Sequence, residues 1–385
     1  MTRSMSADRI EPVSAGKGVS YFIYWGASLG TRLAVQRLLD TDGDAAMTTS
    51  PASAGARPVT KWGDAVRMKR AFVFPGQGSQ AVGMGGALAA AFGPARRLFA
   101  EVDDALAQNL SHLMFEGPEG ELTLTENAQP ALMAASLAVI RVLETEGGLS
   151  LTRDVAFVAG HSLGEYSALA AAHALSVGDG AHLLKLRGQA MQQATPVGEG
   201  AMAALLGLDV EQVQLVAAEA SLGPADCVEV CSVANDNAPG QVVVSGHCAA
   251  IERAIIIARG LGARRSIRLP VSAPFHSPLM APATKVMGEA LDRVELQAPV
   301  IPLITNVSAV PTCDPSRIKR GLVEQVTAMV RWRESMLFLK AAGVEEVVEI
   351  GAGRVLAGLA KRIDPDVAAR SVCTPAEVEE LMKEL

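Results

Sequence analysis

The sequence predicts an α/β protein, a parallel sheet covered by helices and interrupted by a smaller domain of different rhythm. Three observations carry this expectation. Short apolar runs of strand length alternate with longer stretches of helical spacing. The middle of the chain breaks that alternation with the order β-α-β-β-α-β. The composition is 49% hydrophobic but only 4% aromatic, and an apolar mass of mostly Ala, Val and Leu suits helices packed closely on a sheet.

Residues 71–74 read as a strand followed by a glycine turn, and residues 86–108 and 128–146 carry helical apolar spacing. Residues 154–159 form a second short buried strand, and residues 164–174 an Ala-rich helix. This rhythm argues for a parallel sheet. Next come a strand at 201–207, a helix at 209–221 that opens on an Asp cap, and a strand at 227–234. A turn cluster at 235–240, a strand at 241–245, a helix at 249–260 and a strand at 264–269 complete a split, ferredoxin-like motif. The first alternation then resumes with residues 300–305, a helix through Gln325, residues 344–350 and a last helix from Arg354. A large subdomain is therefore expected over 68–195 and 271–385, with a small one inserted at 196–270. Residues 1–67 are punctuated by Ser, Thr, Gly and Pro, and 47–61 read as loop or disorder. They are expected to lie outside the catalytic fold, as a tail or as an overlong gene model whose true start is Met68.

At 385 residues the chain can bury one large core or two modest ones. Its net charge of -7 offers no general attraction for nucleic acid or anionic lipid, so neither is an expected partner. No apolar run reaches membrane-spanning length: residues 21–30 are too few, and residues 131–143 are interrupted by Arg141. Asp8 and Glu11 disfavour a signal peptide. The five cysteines are odd in number and lack metal-ligand spacing, so they read as reduced, buried thiols of a cytoplasmic protein with no metal site.

The strongest chemical signal is Gly160-His161-Ser162-Leu163-Gly164, a G-x-S-x-G pattern with an apolar strand before it and a helix after. Small residues flank such a serine because it sits on a sharp, strained turn that exposes its hydroxyl at a helix N-terminus. The bland alternative is an ordinary Gly/Ser turn. Of the six histidines, His112, His173 and His182 lie in helical stretches and His247 begins the second small-domain helix. His161 is locked in the turn, where its ring should point away from the neighbouring hydroxyl. His276 lies in a proline-stiffened loop at the domain junction, where a catalytic base is well placed. Its position alone leaves an ordinary loop histidine open too.

The turn at 74–80 places Gly76, Gly78 and Ala81 in a dinucleotide-like G-x-G-x-x-A pattern. Pro75 stiffens it, however, and no strand ending in an acidic residue follows about twenty positions on. Its other use is to present backbone N–H groups to an oxyanion. Arg187, on the helix after the Ala-rich one, is either a solvated arginine or, if turned inward, a charge that demands an anionic partner.

Together these stretches resemble the malonyl-CoA:acyl carrier protein transacylases. The matching segments are FPGQGSQ (74–80), Gln129-Pro130-Ala131, GHSLGEY (160–166), Arg187 to Met191, GQVVVSG (240–246), Phe275-His276-Ser277, Thr305-Asn306-Val307 and residues 351–356, in family order across about residues 68–363. The resemblance implies an α/β-hydrolase-like large subdomain with the ferredoxin-like one inserted. It also implies roles. Ser162 is acylated and His276 is its base; the amides of Gln77 and Leu163 form the oxyanion hole. Arg187 holds the malonyl carboxylate, with Gln129 and Phe275 also at the substrate. The main-chain carbonyl of Gln325 orients the histidine, which explains why no acidic third member stands out. Residues 327–332 (TAMVRW) lack the Asn-Pro often found before this Trp, a departure close to Gln325. Leu163 and Phe275 are similar to the malonyl-type pattern of related polyketide acyltransferase domains.

The implied partners are malonyl-CoA as substrate and an acidic, phosphopantetheinylated acyl carrier protein, with no cofactor or metal and a monomeric enzyme. Arg264, Arg265 and Arg268 are candidates for the carrier's docking surface. The rival readings are a serine esterase or thioesterase using the same turn, an acyltransferase of a specialised polyketide pathway, and a non-enzymatic carrier-binding remnant. The presence of Ser162, His276, Arg187 and Gln77 together counts against the last.

Overall fold

The computed structural model describes residues 68–224 and 227–385. The expectation for residues 1–67 falls outside the described residues. In chain order the strands are β1 (Arg70–Phe74), β2 (Phe157–Gly160), β3 (Gly200–Leu206), β4 (Cys231–Ala238) and β5 (Gln241–His247), then β6 (Arg265–Arg268), β7 (Leu303–Ile304), β8 (Pro311–Thr312), β9 (Glu346–Ile350) and β10 (Ala368–Val372). They form two sheets. The larger runs β10-β9-β1-β2-β7-β8, parallel except where β8 turns back on β7.

β1 lies at the centre with all five residues buried, as a strand covered on both faces must be. Its side chains alternate between two cores. Phe72 and Phe74 pack into the cluster that holds the helix Thr125–Thr145, whereas Ala71 and Val73 join Trp332, Leu339 and Leu356 on the other face. The α/β class and the parallel sheet agree with the sequence expectation.

The smaller sheet runs β4-β5-β3-β6, antiparallel throughout, with the helices Val210–Ala220 and Cys248–Gly260 on one face. Alternation again explains its placement. Ala203, Leu205, Val242 and Val244 point into the core shared with those helices. Met202 and Val243 point the other way, into the main core. The sheet is therefore apolar on both faces, and the second face binds it to the rest of the molecule.

Several expectations are corrected. The turn cluster expected at 235–240 is mostly strand: β4 continues to Ala238, and the chain reverses only at Pro239-Gly240, where Gly240 adopts a φ of 69°. Asn235 and Asp236 have turn-forming side chains, but tertiary contacts override that preference. Two bulges absorb them, the Asp236 amide donates to the Val330 carbonyl, and the buried Asp236 carboxylate pairs with Arg333. The helix expected over 86–108 is two helices, Gly86–Ala91 and Gly93–Leu106, because Phe92 is extended and Pro94 starts a new first turn. The strand expected at 300–305 shrinks to the two residues of β7. β8, β10 and the helices Ala281–Arg293, Trp332–Ala341 and Pro375–Met382 lay outside the expectation. All five cysteines are unpaired, but none is buried: Cys227 and Cys313 are exposed, the others half-buried.

The topology decides where chemistry can happen. β1 and β2 are neighbours, with Phe74 opposite Gly160 at their carboxyl ends. The turns that follow, carrying Gln77 and Ser162, therefore leave the same edge of the sheet side by side, where open α/β sheets bind ligands.

Candidate active site

The turn after β2 is tighter than any side chain would allow. A Cβ on Gly160 would lie 1.9 Å from the backbone carbon of Gly164, and one on Gly164 would lie 2.3 Å from the carbonyl oxygen of Phe74. These approaches are the physical reason for the two flanking glycines. Between them Ser162 is held at a φ of 54°, a left-handed conformation that costs a serine about 1–3 kcal/mol. Asn306 fixes it there: its Oδ1 accepts from the Ser162 amide at 2.7 Å and its Nδ2 donates to the Gly160 carbonyl at 2.6 Å. The helix Gly164–Ala171 starts immediately afterwards.

His276 reaches this serine from the loop that follows the small sheet. Its Nε2 lies 2.8 Å from Ser162 Oγ, and its Nδ1 lies 2.9 Å from the main-chain oxygen of Gln325. A carbonyl can only accept, so Nδ1 carries the hydrogen and Nε2 offers its lone pair to the serine hydroxyl. Burial, reinforced by the Arg187 charge, lowers the His276 pKa to about 3. The imidazole is thus neutral at pH 7, with its Nε2 lone pair directed at the serine hydroxyl.

Arg187 turns inward from the helix Val177–Gln193 and is 1% exposed. Gly188 beside it makes this geometry: its Cβ would lie 2.4 Å from the Cα of Glu126, so the two helices meet backbone to backbone. Across that contact Arg187 Nη1 donates to Gln129 Oε1 at 2.8 Å. Its Nη2 donates to Gln325 Oε1 at 2.8 Å and to Ser162 Oγ at 3.2 Å. Nε is buried without a hydrogen-bond partner, and no carboxylate forms a salt bridge with this guanidinium among the described residues. A desolvated cation held by two neutral amide oxygens is a receptor for an anion.

Gln77, Gln129, Ser162, Leu163, Arg187, Phe275 and His276 all line one cavity of about 460 Å³ beneath the small sheet, with Met202 of β3 on its wall. Gln325 is fully buried just behind it. The Gln77 side chain donates to Thr125 Oγ1 at 3.2 Å, whereas the backbone amides of Gln77 and Leu163 donate to no other described residue. Two clefts of similar volume, about 500 and 470 Å³, lie beside Arg370 and Arg153 and hold no nucleophile–base pair. The His161 ring points away from Ser162 and its Nε2 meets Asn237 Oδ1 at 2.8 Å. Among the described residues, no three His, Cys, Asp or Glu side chains cluster as a metal site would require, and no helix is long and apolar enough to cross a membrane.

Sequence reasoning gave no role to three residues that shape this site. Asn306 and Glu165 lie within recognised motifs, but only the fold brings them under Ser162. Asn237 sits in the stretch misread as a turn. Glu165 is 1% exposed; its Oε2 accepts from Gln325 Nε2 at 2.7 Å and from the Asn306 amide at 3.3 Å. Burial raises its pKa to about 7 against those donors and Arg187. A glutamate in a helix's first turn usually reads as a solvated partner of the helix dipole, which is why it carried no signal.

A nucleophile–base pair, two amides free for an oxyanion and a buried cation together suit acyl transfer from an anionic donor. Comparison with known proteins points the same way. A family model described as an acyl transferase domain matches residues 71–370. The malonyl CoA-acyl carrier protein transacylase of Bacillus subtilis is 45% identical over 311 residues, covering 81% of this chain and 95% of that protein. The crystal structure of acyl-carrier-protein-S-malonyltransferase from Bartonella henselae superposes with a TM-score of 0.79 at 53% identity, covering 82% of this chain and 99% of the other. A solved complex of a type II PKS acyl-carrier protein with its malonyl-transacylase matches at 40% identity with a TM-score of 0.78, covering 82% and 100%.

Proposed function

The chain belongs to the acyl transferase family, among the malonyl-CoA:acyl carrier protein transacylases, and on that basis we propose that it moves a malonyl group from coenzyme A to the phosphopantetheine thiol of acyl carrier protein, supplying fatty acid synthesis. The observation that carries this reading is Ser162 Oγ lying between His276 Nε2 at 2.8 Å and Arg187 Nη2 at 3.2 Å. A general esterase has use for the first contact but none for the second.

The reaction is ping-pong. Arg187 receives the malonyl carboxylate, exchanging its weak hydrogen bond to Ser162 for an ion pair, with Gln129 keeping its other nitrogen in place. His276 takes the proton as Ser162 Oγ attacks the thioester carbonyl. The oxyanion forms opposite the amides of Gln77 and Leu163, each worth about 3 kcal/mol of barrier. The carbon–sulfur bond breaks, His276 returns the proton to the coenzyme A sulfur, and malonyl-Ser162 remains. The carrier's thiol then gives its proton to His276 and attacks the ester. As the bond from the carbonyl carbon to Ser162 Oγ breaks, His276 returns that proton to the serine and the malonyl thioester of the carrier leaves. The proton, the acyl group and the two sulfurs balance without a cofactor or metal. The cytoplasm, where coenzyme A thioesters and reduced thiols occur, is the proposed location.

The carrier is proposed to dock on β6, the edge strand of the small sheet. Arg264 just before it and Arg265 and Arg268 on it are exposed, Arg268 paired with Glu252, and the chain runs directly on into Leu269, Pro270 and Val271 at the cavity wall. Mass spectrometry of the intact protein after mixing with malonyl-CoA tests the whole scheme. A malonyl adduct on Ser162, discharged faster by carrier protein than by water, is expected. Prompt loss to water regardless of carrier would make the protein a hydrolase.

A further inference from the structure

The mechanism above gives Glu165 nothing to do, although its carboxyl is buried beneath the nucleophile turn with one oxygen, Oε1, unpartnered. Such a group is costly unless something requires it. Its other oxygen accepts from two residues, Gln325 and Asn306, and these are the residues that hold the rest of the site in position.

Gln325 has an amide with two unlike ends. Nε2 faces three acceptors, Glu165 Oε2 at 2.7 Å, the Ser162 carbonyl at 3.0 Å and, more distantly, Asn306 Oδ1 at 3.5 Å. Oε1 faces a pure donor, Arg187 Nη2. Rotated by half a turn, the amide would set its oxygen against a carboxylate and its N–H₂ against a guanidinium, losing both contacts. The Oε2 acceptor of Glu165 thus dictates which way Gln325 lies. The main-chain oxygen of the same residue accepts from His276 Nδ1, so the clamp and the base hang on one residue. Asn306 in turn gives its amide N–H to Glu165 while its side chain bridges Gly160 and Ser162.

We infer that Glu165 is a positioning residue, an internal acceptor that orients Gln325 and Asn306 and through them sets Arg187 for an anionic acyl group. The inference rests on the malonyl-transfer reading. The alternative is that Glu165 merely closes the first turn of its helix, which would matter to folding and to every substrate alike.

Steady-state acylation by malonyl-CoA and by acetyl-CoA separates the two in the full-length protein. Glu165→Ala should lower the malonyl-over-acetyl preference by about tenfold, the loss of one hydrogen bond to a charged group, mostly through the malonyl KM. Glu165→Gln retains an oxygen that can accept from both donors and should restore most of the preference. Equal losses on both substrates with Ala overturn the inference, as does a Gln variant no better than Ala. Should the Ala variant fail to fold, Glu165→Asp keeps a carboxyl group but withdraws the acceptor by about the length of one methylene, roughly 1.5 Å. It should also lose preference, and unchanged preference in the Asp variant overturns the inference. A wild-type protein without malonyl preference would instead sink the reading beneath it.

Discussion

At the scale of single residues, Arg187 and His276 make the sharpest claims. Arg187 hydrogen-bonds only to neutral oxygens and lies over the Tyr166 ring, with no carboxylate in direct contact, so under the proposed function a malonyl carboxylate would be its first directly bonded counter-charge. Arg187→Ala should therefore cost malonyl transfer about 100-fold in kcat/KM, the worth of two charge-assisted hydrogen bonds, and cost acetyl transfer far less. Parallel kinetics with the two thioesters would show it; equal losses would mean that the arginine is only structural. His276 accepts a proton only when neutral, and burial with the Arg187 charge holds its pKa down at about 3. An ordinary imidazole would be about 97% protonated at pH 5. Here kcat/KM for malonyl-CoA should stay nearly level from pH 7 down to pH 5, and an acid limb centred near pH 6.5 would contradict the buried geometry. Ser162 and His276 were legible in sequence because their motifs need special backbone, G-x-S-x-G and a proline-bounded loop. Glu165 and Asn306 were not, because what matters about them is which groups the fold puts opposite, and spacing along the chain does not encode that.

Secondary-structure elements explain why these residues meet. The helices Thr125–Thr145 and Val177–Gln193 touch where Gly188 faces Glu126, and this contact brings Gln129 against Arg187. Gly188→Ala places a methyl 2.4 Å from a backbone carbon that cannot yield without moving a helix. Overpacking of this kind costs about 1–3 kcal/mol, and a lowered Tm together with a weakened malonyl preference is expected. A variant with normal Tm and kinetics would show that the helices separate freely. β6 carries the second element-level prediction. Arg264→Glu with Arg265→Glu should raise the KM for carrier protein and leave that for malonyl-CoA unchanged, since neither residue lines the cavity. An unaltered carrier KM would place docking elsewhere. Elements with strong local signals, such as β1, β2 and the two small-domain helices, were readable from alternation and caps. β4 was misread because Asn235 and Asp236 look like turn residues until Arg333 and Val330 are placed beside them. β7 was expected over 300–305 but is only two residues long, and β8 is too short for any pattern to show.

For the molecule as a whole, burying the catalytic groups couples the site to stability, and the two perturbed groups act in opposite directions. Glu165 has a folded pKa of about 7, above its unfolded value near 4.5, so its contribution is full below pH 4.5 and is lost as pH rises through 7. His276 has a folded pKa of about 3, below its unfolded value near 6.5, so its contribution is full above pH 6.5 and is lost as pH falls toward 3. Between pH 4.5 and 6.5 the two slopes oppose each other, one group shedding stability as the other gains it. Glu165→Gln removes one slope and leaves the other. The stability difference between this variant and the wild type should therefore shift in the variant's favour as pH rises through that window, at up to about 1.4 kcal/mol per pH unit. Urea midpoints of both proteins from pH 4.5 to 7 would measure it, with every other titrating group common to the pair. A difference independent of pH would mean that Glu165 titrates as an ordinary carboxylate and that the ionisation of this buried network is not shared across the fold.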